Sequence, residues 1–314
     1  MSSMGSRSAL LPKWPARHTA PMQERAAAPC GDPARQKDWP EQRERDMPRI
    51  LQITDPHVLT AGSLAYGVVD TGAALERTVA GIRTALPRIG PIDLVVVTGD
   101  VVDNGTAAQY ARFIEIMAPL GLPLRAVPGN HDARDLMRNA FASTDWMPRT
   151  GAIRWRYDLG GACVIGLDTL VPGAPHGALG PETLDWLANE LAQAGHVPLI
   201  VAMHHPPIPT GIVQMDRQGL QAPEALQAIL ERHPGPVRII AGHVHRLVMG
   251  SLGTVPVITG PGTSHAVTLD LRPARSATFD MEPGGVLIHD AGPEGIRSHL
   301  LPLGDWSGPH PFAG

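Results

Sequence analysis

The sequence predicts an α/β protein with a layered core. Short runs of apolar, mostly β-branched residues alternate along the chain with helical patterns, and such alternation is typical of sheets covered by helices. The chain has 314 residues and 43% hydrophobic content, which is enough to bury a full core. We therefore expect one large catalytic domain with appendages.

Five buried strands are predicted, and each is followed directly by a cluster of His, Asp or Asn. They span Arg49 to Thr54, Leu94 to Thr98, Leu124 to Val127, Leu199 to Met203 and Arg238 to Ala241. Three later apolar runs predict further strands, the last two joined as a hairpin. These runs are Val255 to Thr259, Gly285 to His289 and Ile296 to Leu301.

Four helices are predicted between the strands, because apolar residues recur there three or four positions apart. Pro181 precedes one of the patterns at a position where a first helical turn tolerates proline. The apolar positions are Leu75, Val79, Ile82 and Leu86; Tyr110, Phe113, Ile114 and Met117; Leu184, Leu187 and Leu191; and Leu226, Ile229 and Leu230.

Composition divides the chain into three segments. Residues 1–46 are rich in Pro, Arg, Ala, Gln and Glu without apolar periodicity, which predicts a disordered leader. Because Met47 directly precedes the first strand, we hypothesise that it is the biological start. Residues 47–263 are predicted to form the catalytic domain. Residues 264–314 are predicted to supply C-terminal strands and a cap or association segment, which includes the aromatic residues Trp306 and Phe312.

Bulk properties narrow the class of partner. A formal net charge of -4 gives no basic field for nucleic acid or an anionic membrane, so we expect neither as a partner. Cys30 and Cys163 are too few for a disulfide framework, and a buried free thiol is expected for Cys163. No apolar run suits a signal peptide or a membrane span. These observations favour a cytoplasmic protein that acts on a small molecule.

The five clusters carry the chemistry. Sites in open α/β sheets form beyond the carboxyl ends of strands, so clusters at five such ends can meet in space. Each cluster alone is a weak signal, since an Asp after a strand is often a helix cap. Carboxylate, imidazole and amide oxygen without thiolate suit Mn, Fe, Zn or Co. Seven candidate ligands are more than one ion needs, so we predict two divalent or trivalent transition metal ions: the candidates are Asp55, His57, Asp100, Asn130, His204, His243 and His245.

The ordered set D-x-H, G-D-x-x-D, G-N-H-D, H-H-P-P and G-H-x-H resembles the calcineurin-like metallophosphoesterase superfamily, from about Ile50 to about His265. G-N-H-D, M-H-H-P-P and P-G-T-S-H are similar to bacterial class III cyclic-nucleotide phosphodiesterases and, more closely, to glycerophosphodiesterases. The resemblance implies a four-layer αββα sandwich, in which two mixed sheets are flanked by helices. Similar glycerophosphodiesterases are oligomeric, so a homo-oligomer is expected.

The resemblance also implies which residues hold each metal. It favours His204 over His205, because the family ligand stands two residues before the proline. Asp100 is implied to bridge the two ions. One ion would be held by Asp55, His57 and His245, and the other by Asn130, His204 and His243.

The same resemblance implies the residues that face the substrate. His131 would stand beside it, with Asp132 as the carboxylate that orients the His131 ring. Asn130, His265 and Asn104 are predicted to bind substrate, although a turn role is open for Asn104. The residues leave further alternatives open: Asp103 as a loop cap or a substrate contact, Arg134 as a phosphate ligand or a helix-surface residue, and His205 as a packing residue.

The predicted function is hydrolysis of a small phosphodiester, either a glycerophosphodiester or a 3',5'-cyclic nucleotide, by attack of a metal-bridging hydroxide. His131 would protonate the leaving alkoxide or stabilise charge on the phosphorus oxygens. Ser/Thr phosphatases of the superfamily usually show G-D-x-V-D-R-G and G-N-H-E, whereas Asn104 and Asp132 replace that Arg and Glu here. Loss of the Arg removes a side chain that could hold a phosphate through two hydrogen bonds, which argues against phosphoprotein monoesters as substrates. A phosphomonoesterase and a non-catalytic scaffold of the same fold are the alternatives.

Overall fold

Two large sheets organise the part of the chain that this computed structural model describes, which covers residues 47–273, 276–304 and 307–312. The predicted leader and Trp306 lie outside the described residues. The first sheet has the order β13-β12-β1-β2-β3, in which β1, β2 and β3 are parallel and β12 runs antiparallel to both of its neighbours. Its strands are β1 (Arg49–Ile53), β2 (Leu94–Thr98), β3 (Leu124–Val127), β12 (Gly285–Gly292) and β13 (Gly295–Pro302).

The second sheet has the order β4-β5-β6-β7-β9-β8. Its four central strands are parallel, and β4 and β8 are antiparallel edges. The strands are β4 (Trp155–Asp158), β5 (Cys163–Gly166), β6 (Leu199–Ala202), β7 (Val237–Ala241), β8 (Val248–Leu252) and β9 (Val255–Thr259). A small separate ladder pairs β10 (Ala266–Val267) with β11 (Phe279–Asp280).

Helices follow the strands, and two of them begin at side-chain caps. Asp70 Oδ1 accepts a hydrogen bond from Ala73 N at the first helix, and Thr106 with Gln109 forms a capping box at the second. The α-helices of the described residues are α1 (Thr71–Ile89), α2 (Ala107–Met117), α3 (Arg134–Ala140), α4 (Pro181–Ala194), α5 (Val213–Asp216) and α6 (Glu224–Leu230). None of the helices in these ranges has the length and apolar character needed to cross a bilayer.

Neighbouring residues of a strand face opposite sides of the sheet, so the second sheet contributes to two separate cores. Val164 and Ile200 of the second sheet lie in the core shared with the first sheet and with α1 to α3. Their neighbours Ile165 and Leu199 lie in the core beneath α4 and α6. The order is therefore helices, first sheet, second sheet, helices, which confirms the predicted αββα sandwich.

The C-terminal segment contributes to the first sheet. Strand β12 pairs with β1 in antiparallel register, so that Ile50 lies opposite His289. Hairpin β12–β13 matches the predicted one, whereas Phe312 at the tail is fully exposed. The domain boundary after residue 263 stays a prediction. Cys163 is a buried free thiol, as expected, and burial raises its pKa to about 12.

Candidate metal centre

The five clusters follow the carboxyl ends of β1, β2, β3, β6 and β7, and the structure brings their side chains together at one edge of the sandwich. Ligand atoms of Asp55, His57 and His245 lie within 4.8 Å of one another, as do those of Asp55, Asp100 and His204. Six of the seven predicted ligands are buried, and Asn130 is half-buried. All seven therefore share one enclosed space.

The backbone turns sharply at the ends of three strands. Among the described non-glycine residues, five predicted ligands have positive φ: Asp55 (51°), His57 (44°), Asp100 (46°), His243 (73°) and His245 (51°). Each such residue costs on the order of 1 kcal/mol, and such strain persists where the surroundings fix it and clusters at functional sites. The strain is concentrated in the residues that the sequence predicts as metal ligands.

One group of donor atoms gathers around two facing imidazoles. His57 Nε2 and His245 Nε2 lie 3.1 Å apart. Asp55 Oδ1 lies 3.5 Å from the His245 nitrogen, and Asp100 Oδ2 lies 3.4 Å from the His57 nitrogen. This first donor group is the set predicted for one ion, together with the predicted bridge.

A second donor group gathers around Asn130. Its Oδ1 lies 3.1 Å from both His204 Nε2 and His243 Nδ1, and these two nitrogens lie 3.2 Å apart. Asp100 Oδ2 lies 3.4 Å from His204 Nε2, the same distance as from the imidazole of the first group. One carboxylate oxygen thus stands between the two groups, which is the arrangement that a bridging ligand needs.

The spacing of the donors fits two metal ions. Imidazole and carboxylate ligands bind transition metals at about 2.0–2.2 Å, which places neighbouring ligand atoms about 3–3.5 Å apart. The distances within both donor groups lie in this range. The donors are nitrogen and oxygen without thiolate, which is the chemistry of borderline divalent ions.

The charges of the centre are coupled. Burial lowers the pKa of His204, but the Asp100 and Asp55 carboxylates and the hydrogen bond to the Thr98 carbonyl together outweigh burial and raise that pKa to about 9. The pKa of His57 is also raised, because the Asp100, Asp103 and Asp55 carboxylates together outweigh its burial. Burial lowers the pKa of His243 and His245 well below the usual value, and their neighbouring imidazoles add to the effect. Each facing pair therefore contains one imidazole that prefers a proton and one that prefers to be neutral.

Hydrogen bonds from the first sheet orient several ligands. His57 Nδ1 donates to Asp103 Oδ1 over 3.1 Å, and His204 Nδ1 donates to the carbonyl oxygen of Thr98 over 2.9 Å. Both bonds leave Nε2 of the ring directed toward its donor group. For Asp103, whose role the sequence left open, the structure shows a carboxylate that holds a predicted metal ligand.

His131 lies at the open rim of the centre. Its side chain is 36% exposed, whereas the side chains of His57 and Asp100 are 2% and 3% exposed. The backbone N of His131 donates to Asp100 Oδ1 over 2.9 Å, and ring Nδ1 donates to the carbonyl oxygen of Asp103 over 2.9 Å. The ring therefore has Nε2 available to a molecule that enters the centre.

The predicted contact between Asp132 and the His131 ring is wrong. The Asp132 carboxylate instead accepts hydrogen bonds from the Gly129, Val101 and Val102 backbone nitrogens and from the Tyr110 hydroxyl. Burial and the nearby Asp100 charge raise the pKa of Asp132 to about 6. The Asp132 carboxylate ties the loops after β2 and β3 together. The backbone carbonyl of Asp103, instead of Asp132, orients the His131 ring.

An aromatic group borders the first donor group. His265 lies 4.6 Å from His245 between ring centroids, and Tyr66 lies 5.6 Å from His265. Tyr66 is 60% exposed and also contacts Phe279. Nothing in the sequence marks Tyr66 beyond an aromatic residue in the loop after D-x-H. Asn104 is exposed, and its amide donates to Asp103 Oδ2 over 3.1 Å.

The sequence leaves the roles of His205 and Arg134 open, and the structure shows what each contacts. His205 Nδ1 lies 2.7 Å from Thr169 Oγ1, and its ring lies 4.7 Å from that of His204. Its ligand atoms group with those of His204 and His243, so it is adjacent to the second donor group. Arg134 makes a bidentate ion pair with the buried Asp168, which ties α3 to the loop after β5.

Sequence comparisons agree with this geometry. The profile of calcineurin-like phosphoesterases matches residues 48–247. A probable glycerophosphodiester phosphodiesterase GpdQ of Arcobacter nitrofigilis is 34% identical over 265 residues, which are 84% of this chain and 96% of that protein. The 3',5'-cyclic adenosine monophosphate phosphodiesterase CpdA of Pseudomonas aeruginosa is 34% identical over 214 residues, which are 68% of this chain and 75% of that protein.

Solved structures share the fold. A dimetal phosphatase from Danio rerio superposes with a TM-score of 0.54 at 14% identity, and the match covers 82% of this chain and 99% of that one. At this identity the likeness shows the fold alone. The family profile and the relatives carry the assignment further. The chain belongs to the calcineurin-like phosphoesterase family.

Proposed function

We propose that this chain is a binuclear metal-dependent phosphodiesterase that hydrolyses small phosphodiesters. One observation carries the proposal: the two donor groups share Asp100 Oδ2, which lies 3.4 Å from an imidazole nitrogen of each group. Asp55, His57 and His245 would hold one ion, and Asn130, His204 and His243 the other. When bound, two such ions neutralise the charge of a phosphodiester and activate the attacking water. Mn, Fe, Zn and Co suit these donors.

The chain's own residues supply the proton and the alignment. Because Nδ1–H of His131 donates to the Asp103 carbonyl, the protonated form of the ring would give its second proton, the one on Nε2, to the leaving alkoxide. That proton matters for an alkyl diester, whose leaving group is poor without it. The exposed side of His131 at the rim, beside the buried ligands, gives a diester access from solvent.

The relatives support a diester as the substrate. One is named as a probable glycerophosphodiester phosphodiesterase and another as a cAMP phosphodiesterase, so both substrate classes remain in contention. His265 and Tyr66 lie beside the first donor group, and Asn104 is exposed beyond Asp103. We propose that these three residues contact the alcohol portion of the substrate. A cytoplasmic location and a homo-oligomeric state stay predictions from the sequence.

Turnover of a substrate panel tests the function. Protein reconstituted with Mn is compared on glycerophosphoethanolamine, 3',5'-cAMP, an aryl diester and an aryl monoester, together with His131→Ala. We expect preference for one of the first two substrates. On that substrate, His131→Ala should lose roughly 100- to 10,000-fold in turnover while it keeps both ions. Its loss on the aryl diester should be smaller, because that leaving group departs without a proton.

The panel also separates the alternatives. Preference for the monoester would favour a phosphomonoesterase. A wild-type protein without bound metal after reconstitution, and without turnover on the whole panel, would favour the non-catalytic scaffold. Unchanged turnover of His131→Ala on the alkyl diester would remove the acid role from His131 while leaving the metal centre in place.

A further inference from the structure

A chain of polar side chains crosses the apolar core between the two sheets. Gln52 of β1 is 1% exposed and His289 of β12 is 0% exposed, and their strand neighbours belong to the apolar core. Gln52 contacts strands of both sheets, so its side chain lies between them. Burying polar groups costs free energy unless each is hydrogen-bonded, and apolar residues of similar volume are often as stable or more so. A role beyond folding stability would explain a polar chain at this place.

The direction of every hydrogen bond in this series of polar side chains is determined. Arg238 Nη1 can only donate, and it donates to Ser298 Oγ over 3.0 Å. The Ser298 hydroxyl then donates to His289 Nδ1 over 2.8 Å. Burial, aided by the Arg238 charge, lowers the pKa of His289 to about 3, so the ring is neutral and carries its proton on Nε2. Nε2 donates to Gln52 Oε1 over 3.1 Å.

The series of hydrogen bonds ends on both sheets, because Gln52 Nε2 has two acceptors. Gln52 Nε2 donates to Thr98 Oγ1 over 2.9 Å and to the Ala241 carbonyl over 2.8 Å. Thr98 ends β2 in the first sheet, and Ala241 ends β7 in the second. Because Arg238 also belongs to β7, the series of hydrogen bonds leaves the second sheet, passes through β13, β12 and β1 of the first sheet and divides at Gln52. One branch ends on β2 and the other returns to β7. We call the series Arg238, Ser298, His289, Gln52, Thr98 and Ala241 the inter-sheet bracket.

The bracket closes directly beneath the metal centre. Thr98 is two residues before Asp100, its carbonyl accepts from His204 Nδ1, and Ala241 is two residues before His243. The sheets approach closely here: a Cβ on Gly242 would lie 2.1 Å from Thr54 Oγ1 and 2.7 Å from the Thr98 carbonyl oxygen. Ligands from both sheets depend on this junction.

We infer that Gln52 and His289 are positioning residues that fix the two sheets relative to each other at the metal centre, and so set the spacing of the two donor groups. The inference rests on the proposed binuclear function. Apolar packing is non-directional and permits small sliding of one sheet on the other. Hydrogen bonds are directional, and metal sites require ligand distances within about 0.2 Å.

The experiment compares two buried histidines. His289→Phe breaks the bracket without touching a predicted ligand, and His233→Phe is the matched control. His233 is 8% exposed, and its Nε2 lies 2.8 Å from the Val197 carbonyl oxygen, outside the inter-sheet core. Gln52→Leu breaks the bracket at a second point, and His289→Gln retains a donor and an acceptor. Mn affinity of the chelator-treated protein, Tm, kcat and KM are measured for each variant.

We expect His289→Phe and Gln52→Leu to bind Mn roughly 10- to 100-fold more weakly, as loss of outer hydrogen bonds does at metal sites. Their kcat should fall with KM nearly unchanged, and His289→Gln should recover most of the loss. His233→Phe should keep wild-type Mn affinity, whatever its effect on Tm.

Wild-type Mn affinity and kcat in both bracket variants would overturn the inference and leave the proposed function intact. Failure of both variants to fold would also overturn it, because the bracket would then be a stability element. A wild-type protein that binds no metal would instead overturn the proposed function on which the inference rests.

Discussion

The two sheets contribute to the metal centre in different ways. The first sheet supplies Asp55, His57, Asp100 and Asn130 from the ends of three strands, and with them both carboxylates of the predicted ligand set. The second sheet supplies the three remaining ligands, His204, His243 and His245, which are all imidazoles. Negative charge therefore comes from one sheet, and the other completes the two donor groups.

The sheets also differ in how their ligands are oriented. On the first sheet, Asp103 accepts from His57, and Asp55 accepts from Thr54 Oγ1 over 2.7 Å. On the second sheet, His243 Nε2 and His245 Nδ1 are buried and have no hydrogen-bond partner among the described protein groups.

The orienting bonds of the second-sheet ligands come from across the interface. His204 is held by the Thr98 carbonyl, and the backbone N of His243 donates to both oxygens of Asp55 over 3.0 Å. The first sheet is thus a template that orients its own ligands and two of those opposite. The geometry of the centre consequently depends on how the sheets dock, and this difference can be tested.

Removal of Asp100 tests the comparison most severely. Asp100 reaches both donor groups, so Asp100→Ala should lose tight binding of both ions. Turnover should fall by more than the roughly 10- to 100-fold that an outer hydrogen bond is worth. His245→Ala removes a ligand from one group, so about one ion per chain should remain. Metal content by mass spectrometry after reconstitution, with turnover, measures both variants.

The opposite pattern would break the comparison. One ion retained by Asp100→Ala would mean that Asp100 does not bridge. Loss of both ions from His245→Ala would mean that the second sheet holds the groups together as much as the first.

Matched removal of outer groups sharpens the comparison. Asp103→Ala deletes the carboxylate that orients His57, and Thr169→Val deletes the hydroxyl that lies 2.7 Å from His205 Nδ1. Metal affinity should fall roughly 10- to 100-fold in Asp103→Ala, because a ligand loses its orientation. Thr169→Val should stay near wild type, because His205 is not a predicted ligand. Equal losses in a metal titration would make His205 a ligand and place an orienting group on the second sheet.

Much of the fold follows from local pattern. The five strands before the clusters are β1, β2, β3, β6 and β7, because buried apolar runs followed by turn residues mark them. Strand β4 escaped prediction because two of its four residues, Arg156 and Asp158, are charged, and β5 because its short apolar run ends in Gly166, a residue type that is depleted in strands. Helix α3 was missed because Met137 is its single buried residue.

The site was predictable to the extent that chemistry lies next to strand ends. All seven predicted ligands converge, although sequence adjacency misassigned the orientation of Asp132: three backbone N–H groups and Tyr110 draw its carboxylate away from His131. Gln52 and His289 are 237 residues apart, and no local pattern relates them. Contacts between distant segments depend on the docking of the sheets, which periodicity does not encode.

The pH dependence of metal binding is the smallest effect and tests the facing imidazole pairs. In chelator-treated protein, His204 holds a proton up to a pKa of about 9 because Asp100, Asp55 and the Thr98 carbonyl together outweigh its burial, while His243 opposite is neutral. The raised pKa of His57 and the lowered pKa of His245 repeat this arrangement.

Each pair thus binds about one proton where an ion would bind, and metal must displace it. Mn affinity should rise by up to about tenfold per pH unit per ion as pH increases through neutrality, and should level off above the raised pKa. Mn titrations between pH 6 and 9 with a proton-release indicator measure this. An affinity that does not change with pH would mean that both imidazoles of each pair are already neutral, and that the first sheet's carboxylates do not set the charge of the second sheet's ligands.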